Sequence, residues 1–167
     1  PIVTTIYFLL PFRMRWAWLL AASCAFYMAF IPAYILILGA TIVVDYVAGI
    51  VIEDGAPQRR KLYLVISLIS NLGALAFFKY ANFFVDNVNA VLSIFPGVTA
   101  RFPALAIILP IGLSFHTFQA MAYTIEVYRG KQRAERHFGI YALYVMFYPQ
   151  LVAGPIERPQ NIIHQFK

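Results

Sequence analysis

"FGIYALYVMFYPQLVAGPIERP", residues 138–159, opens as an apolar run fit for a membrane and closes on three prolines, a glycine, a glutamine and an arginine. A helix interior accommodates neither proline's missing N–H nor its ring. Pro149 and the Gly154–Pro155 pair therefore predict a helix broken in apolar surroundings, with Gln150 and Arg158 left to face something polar. Irregular backbone survives at membrane depth only where it is packed in protein or lines a cavity. The reading of this stretch decides between a plain spanning helix and a chain that enters the membrane and turns.

Composition places the rest of the chain in the same solvent. The 167 residues are 62% hydrophobic and 12% charged, against about 45–50% and about 25% in soluble domains. That excess is more than a soluble core of this size can bury, so lipid is the expected solvent. The 11 Tyr and 15 Phe suit a chain with belts at the membrane–water boundary. The net charge of +6 is carried in short clusters between apolar runs. This is the loop charge of a membrane protein and not a basic face on a soluble fold, so nucleic acid is not an expected partner. The single cysteine, Cys24, lies inside an apolar run. It excludes an internal disulfide and a cysteine metal cluster, and a packing role suits it better than an acyl-thioester role. No signal peptide is visible, but the chain begins at Pro1 and not at Met, and we expect it to be truncated at both ends.

Read along its length, the chain divides into apolar runs of crossing or near-crossing length, given that a bilayer core takes about 20 residues. They are 2–12 (the tail of a first helix), 16–31, 34–52, 62–80, 105–128 and 138–154. Residues 81–95 differ. Phe84, Val88, Val91 and Phe95 fall on one helical face, and Asn82, Asp86, Asn89 and Ser93 on the other, which predicts an amphipathic helix at the interface or beside a polar cavity. Lys and Arg gather in turns 13–15, 59–61 and 129–136, alternating with charge-poor turns at 31–33 and 96–104. A chain weaving through a bilayer shows this alternation, with the basic turns in the cytoplasm and 81–95 on the outer side. The expected fold is an all-α, polytopic transmembrane helix bundle with interrupted or re-entrant helices. It forms a single membrane domain, 1–167, of about five to six spans plus the amphipathic helix.

Polar residues inside the spans are the functional candidates, because ionisable groups are costly there. Asp45 suits either a functional site or an interhelical hydrogen bond. His116, Gln119, Tyr123 and Glu126 recur every three or four residues and share one helical face. Such a stripe lines a substrate path or ties helices together, and both readings stand. Pro110 and Gly112 loosen the helix just before it. His116 is a weak candidate base, with no carboxylate or nucleophile near it in sequence. Lys79 and Tyr80 end the fourth run, where a snorkelling Lys and a belt Tyr are the plain alternative to a site. No metal-ligand spacing, phosphate-cradling loop or nucleophile elbow is present in the sequence. The residues alone lead to a membrane protein with a polar interior path. They leave open an enzyme, a transporter or channel fragment, or a non-catalytic membrane scaffold, although the paired inverted repeats of a transporter are not seen.

Three stretches carry a resemblance: "FFKYANFFVDNVNAVL" (77–92), "LPIGLSFHTFQAMAYTIEVYRG" (109–130) and "FYPQLVAGPIERPQNIIHQF" (147–166). Together and in this order they are similar to the membrane-bound O-acyltransferases, most of all the bacterial branch of alginate O-acetyltransferase and its relatives in cell-wall and polysaccharide acylation. The resemblance implies the N-terminal portion of that fold, a bundle of spanning and re-entrant helices around a tunnel, in a bacterial inner membrane. It implies acyl transfer, acetyl above all, to hydroxyls of an exported polysaccharide such as alginate. No bound cofactor is expected; the acyl donor, acetyl-CoA or an acyl carrier, is a co-substrate. Expected partners are membrane lipid, the polysaccharide acceptor and periplasmic or secreted acetyltransferase proteins. Lys79, Tyr80 and Asn82 match the first block, Ser114, Phe115 and Gln119 the second, and Pro149, Gln150, Gly154, Pro155 and Arg158 the third. With Tyr123 from the stripe, these are the expected tunnel and substrate-path residues, with no metal site. His116 stands where relatives commonly carry an aromatic residue, and Glu126 where Asp is frequent. The family's catalytic histidine lies in a later helix, so it is expected beyond residue 167.

Overall fold

The computed structural model describes residues 2–29, 32–95, 101–105, 112–154 and 158–166, and every regular element among them is helical. Pro11 divides the first two helices, α1 (Ile2–Leu9) and α2 (Phe12–Met28). The basic residues 13–15 thus lie in the first turn of α2 and not in a loop, because proline's fixed φ suits the residues at a helix start. α3 (Tyr34–Asp54) and α4 (Pro57–Leu92) follow, joined by a short link at Gly55–Ala56. Pro57 opens α4, so the basic residues 59–61 are helical as well.

α4 also corrects the expected division at residue 80. The fourth apolar run and the amphipathic stretch 81–95 are one helix of 36 residues. At 1.5 Å per residue it is about 54 Å long, against a bilayer core of about 30 Å. No glycine or proline lies between Gly73 and Pro96, so nothing in the backbone stops the helix where the side chains become polar. α3 and α4 are the two helices, among the described residues, long and apolar enough to cross a bilayer. The chain is a membrane protein.

α5 (Leu113–Tyr128) is shorter than the expected run 105–128. Gly112 caps it with φ of 78°, a left-handed conformation that glycine takes freely, and residues 101–105 form no helix or strand. Pro110 lies outside the described residues. The final run is two helices, α6 (Phe138–Met146) and α7 (Tyr148–Ala153), then α8 (Pro159–Ile162) and a 3₁₀ turn, Ile163–Phe166.

α3, α4 and α5 pack on one another, α6 lies against α2, and the core runs between them through Leu38, Ile42, Ile52, Tyr123, Tyr141 and Val145. Gly49 lets α5 approach α3: a Cβ there would lie 2.8 Å from the Tyr123 ring. All three basic clusters meet at one end of this bundle. Arg60 Nη2 donates to the Tyr128 carbonyl at 3.1 Å, Arg136 pairs with Glu53 and Asp54 at 2.8 Å each, and Trp16 stands edge-on to His137 at 4.7 Å. The Asp54 carboxylate, accepting two bonds from Arg136, holds that guanidinium above its ordinary range.

Candidate functional site

α6 starts at the basic end and stops after nine residues. Every residue from Gly139 to Met146 is buried, so the helix ends inside the bundle. Trp16 of α2 is level with His137 at the basic end, and Ser23 of α2 reaches Tyr148. Seven residues of helix place the break about 10 Å in from that end.

The break follows from Pro149. In an unbroken helix the N–H of residue 148 would bond the carbonyl of 144, and that of 149 the carbonyl of 145. Proline has no N–H for the second bond, and its ring crowds the carbonyl four residues back. The chain turns at Phe147 (φ −59°, ψ 103°), which orphans groups in a setting where an unpaired buried polar group is costly. Two side chains meet them. Tyr148 N–H donates to Ser23 Oγ at 3.3 Å, and Gln119 Nε2 donates to the Tyr144 carbonyl at 2.6 Å. The same Gln119 nitrogen lies 3.2 Å from Gln150 Oε1. Gln119 therefore joins the second sequence block to the third and holds the broken end in place. The chain then returns towards the basic end, where Gln160 Nε2 donates to Glu126 Oε2 at 2.9 Å. α6 thus runs in from the basic end, α8 lies back beside the end of α5, and the turn after α6 carries Pro149, Gln150 and Gly154.

Those three residues line an open cavity of about 670 Å³, bordered on its other side by Tyr7 and Phe8 of α1, Leu19 of α2 and Phe166. Its walls are mostly apolar, with the amides of Gln150 and Gln165 among its polar groups. A volume of this size holds a small organic ligand, for which apolar walls and a few placed polar groups are the usual design.

The remaining predicted residues separate into three places. On α5 the stripe is a seam of interhelical bonds. His116 Nε2 lies 3.0 Å from Thr41 Oγ1, a hydroxyl that donates to the Leu38 carbonyl. Tyr123 is fully buried, and its hydroxyl accepts from Glu135 N–H at 2.8 Å. Ser114 and Phe115 are half-buried at the start of α5, with Phe115 against the core. On α4, Lys79 and Tyr80 are exposed side by side, the ammonium 5.5 Å from the Tyr80 ring, and Asn82 bonds the segment 101–105. None of these α4 residues lines the cavity. Arg158 is exposed at the start of α8, and Pro155 lies outside the described residues. Asp45, fully buried, accepts from Ser67 Oγ at 2.6 Å and from Asn71 Nδ2 at 2.9 and 2.8 Å, which ties α3 to α4. Sequence reasoning did not single out Ser23 or Tyr7; a serine within an apolar helix was the one signal for the first.

Among known proteins, the chain is 36% identical over 168 residues to the probable alginate O-acetylase AlgI of Azotobacter vinelandii, covering 99% of this chain and 33% of that protein. It is 34% identical to the probable alginate O-acetylase AlgI of Pseudomonas aeruginosa, with 99% and 32% covered. It is also 34% identical to the peptidoglycan O-acetyltransferase of Helicobacter pylori, with 90% and 32% covered. Over nearly its whole length the chain is thus similar to a part of alginate O-acetylases and of a peptidoglycan O-acetyltransferase. It spans about a third of the length of these relatives. No family model matches the chain, and no solved structure matches it.

Proposed function

We propose that the protein to which this chain belongs is an O-acyltransferase of a bacterial inner membrane that acetylates hydroxyls of an exported polysaccharide. The basic end of the bundle faces the cytoplasm, following the excess of Lys and Arg on that side of membrane proteins. The chain contributes several of the whole protein's membrane passes. The acyl donor, acetyl-CoA or an acyl carrier, arrives at that end, and the polymer is met on the other side of the membrane, with secreted acetyltransferase proteins as partners.

The observation that carries this reading is the turn that follows the buried helix α6. Two of the three family-like blocks meet at one hydrogen-bonded pair, Gln119 and Gln150, beside an open cavity of about 670 Å³ between the turn, α1 and α2. A backbone broken there, and held by side chains from two other helices, is built to line a path and not merely to span. None of the three histidines suits a general base at this cavity. His116 bonds Thr41, His137 caps α6 by accepting from Ile140 N–H, and His164 bonds the Gln160 carbonyl on the surface. We assign the base to the part of the protein that this chain does not include.

The test is acetyl incorporation into polymer by membranes carrying the full-length protein, fed a labelled acetyl donor. Gln150→Ala and Gln119→Ala, with normal membrane levels, are expected to lower transfer by about 10²-fold, the loss that follows a misplacement of about 1 Å in an acyl-transfer site. Wild-type transfer by both variants would remove the turn from the acyl path. No transfer by the unaltered full-length protein would remove the enzymatic reading.

A further inference from the structure

The C-terminal third of α4 makes contacts that the proposed chemistry does not use. Asn82 Oδ1 accepts from the Leu105 N–H at 2.8 Å, and its Nδ2 donates to the Leu105 carbonyl at 3.0 Å. Asn89 does the same to Phe102: Oδ1 accepts from the Phe102 N–H at 2.8 Å, and Nδ2 donates to the Phe102 carbonyl at 2.8 Å. Each side-chain amide thus plays the part of a neighbouring β-strand residue, exchanging both bonds with one backbone unit.

The spacing fits both partners. Seven residues of α-helix bring Asn82 and Asn89 to one face, about 10.5 Å apart along the axis. Three steps of extended chain, the separation of Phe102 and Leu105 in sequence, cover about 10 Å. Pro103, with no N–H to give, falls between the two positions that are read, so it costs no bond. The side chains of Phe102 and Leu105 are largely exposed, and the recognition goes to the backbone. The helix is long enough to place this pair clear of the bilayer. If α4 enters the hydrocarbon near Lys61, about 20 residues of helix cross it, and Asn82 emerges on the side away from the basic clusters.

We infer that α4 carries a peptide-backbone site, made by Asn82 and Asn89, that takes an extended segment of any side-chain sequence with N–H and C=O groups three residues apart. In this chain the occupant is its own segment 101–105, held as a strap across the C-terminal end of α4. The site constrains the backbone of the strap and leaves its side chains free to vary.

Residue-resolved hydrogen exchange on the full-length protein in lipid nanodiscs tests this. The Phe102 and Leu105 amides are expected to exchange about tenfold more slowly than that of Ala104, the margin one net hydrogen bond supplies. The Ala104 N–H has no partner among the described residues. Asn89→Leu releases Phe102, and Asn82→Leu releases Leu105. Asn82→Asp keeps an acceptor for the Leu105 N–H and leaves that amide protected, which separates loss of the clamp from loss of the helix. Phe102→Ala leaves Leu105 as slow as in the wild type. Equal exchange at 102, 104 and 105 in the wild type would overturn the inference. So would slow exchange that survives both Leu variants, or Phe102→Ala releasing the strap as fully as Asn89→Leu.

Discussion

Asn71 and Asn82 stand on the same helix, eleven residues apart, and do opposite work. Asn71 is 1% exposed and gives its amide hydrogens to the Asp45 carboxylate and the Ser67 carbonyl. Asn82 is half-exposed and gives and takes with the backbone of Leu105. One residue type serves as interhelical glue in the N-terminal half of α4 and as a strand mimic in the C-terminal half. The difference is the partner and the dielectric around it. Inside, a carboxylate with few donors makes each bond costly to lose. Outside, water replaces whatever the amide gives up.

The comparison breaks most visibly at Asn71. Asn71→Leu removes the amide donor that both oxygens of a buried carboxylate share and puts an apolar chain against it. Taking one hydrogen-bond donor from a buried charged group costs about 3 kcal/mol, so the protein should unfold at a clearly lower temperature, or fail to accumulate in membranes. Thermal unfolding in detergent, followed by the two tryptophans, measures this. A midpoint unmoved from the wild type would mean that Asp45 is held by Ser67 alone.

Gly49→Ala sharpens the N-terminal half of the comparison without touching a polar group. Its Cβ would lie 2.8 Å from Tyr123 Cε1 and 2.9 Å from the Tyr123 hydroxyl oxygen. Tyr123 is packed against Tyr141 at 4.6 Å, so the ring has little room to yield. Overpacking of this kind costs about 1–3 kcal/mol. The variant should fall between Asn71→Leu and the wild type in the same unfolding experiment. If Tyr123→Phe restores none of the loss in Gly49→Ala, the hydroxyl is not the atom in the way.

How much of this was legible depended on whether the signal was local. The break at Phe147 was readable, because Pro149 carries it in one residue. The stripe on α5 was readable as a face, because spacing alone defines a face. What the stripe meets was not readable: Gln119 finds the Tyr144 carbonyl only because α6 breaks where it does, 25 residues away in sequence. The join of 62–80 to 81–95 was missed because the change from apolar to polar side chains looked like a boundary. The backbone signal ran the other way, with no glycine or proline from residue 74 to 95. The basic clusters were placed correctly at one end by their alternation, yet two of them sit in helical first turns, for which Pro11 and Pro57 were the markers. Asn82 and Asn89 were legible as a polar face, and their seven-residue spacing as one side of a helix. A segment thirteen residues beyond Asn89 leaves no periodic trace that would tie it to them.

Asn82→Leu is the smallest expected effect, and it completes the contrast. A hydrogen bond exchanged with water contributes about 0.5–1.5 kcal/mol net, with the upper end kept for buried pairs. Asn82 gives up two bonds at a half-exposed site, and Asn89 continues to hold Phe102. Helical leucine also outranks asparagine by a few tenths of a kcal/mol in propensity, about 0.5 kcal/mol at most, which offsets part of the loss. Global unfolding should therefore shift by about 1 kcal/mol or less, well inside the change in Asn71→Leu, even as the Leu105 amide becomes free to exchange. A global loss as large as that of Asn71→Leu would mean that the strap is part of the folding core, and the two halves of α4 would no longer differ in kind.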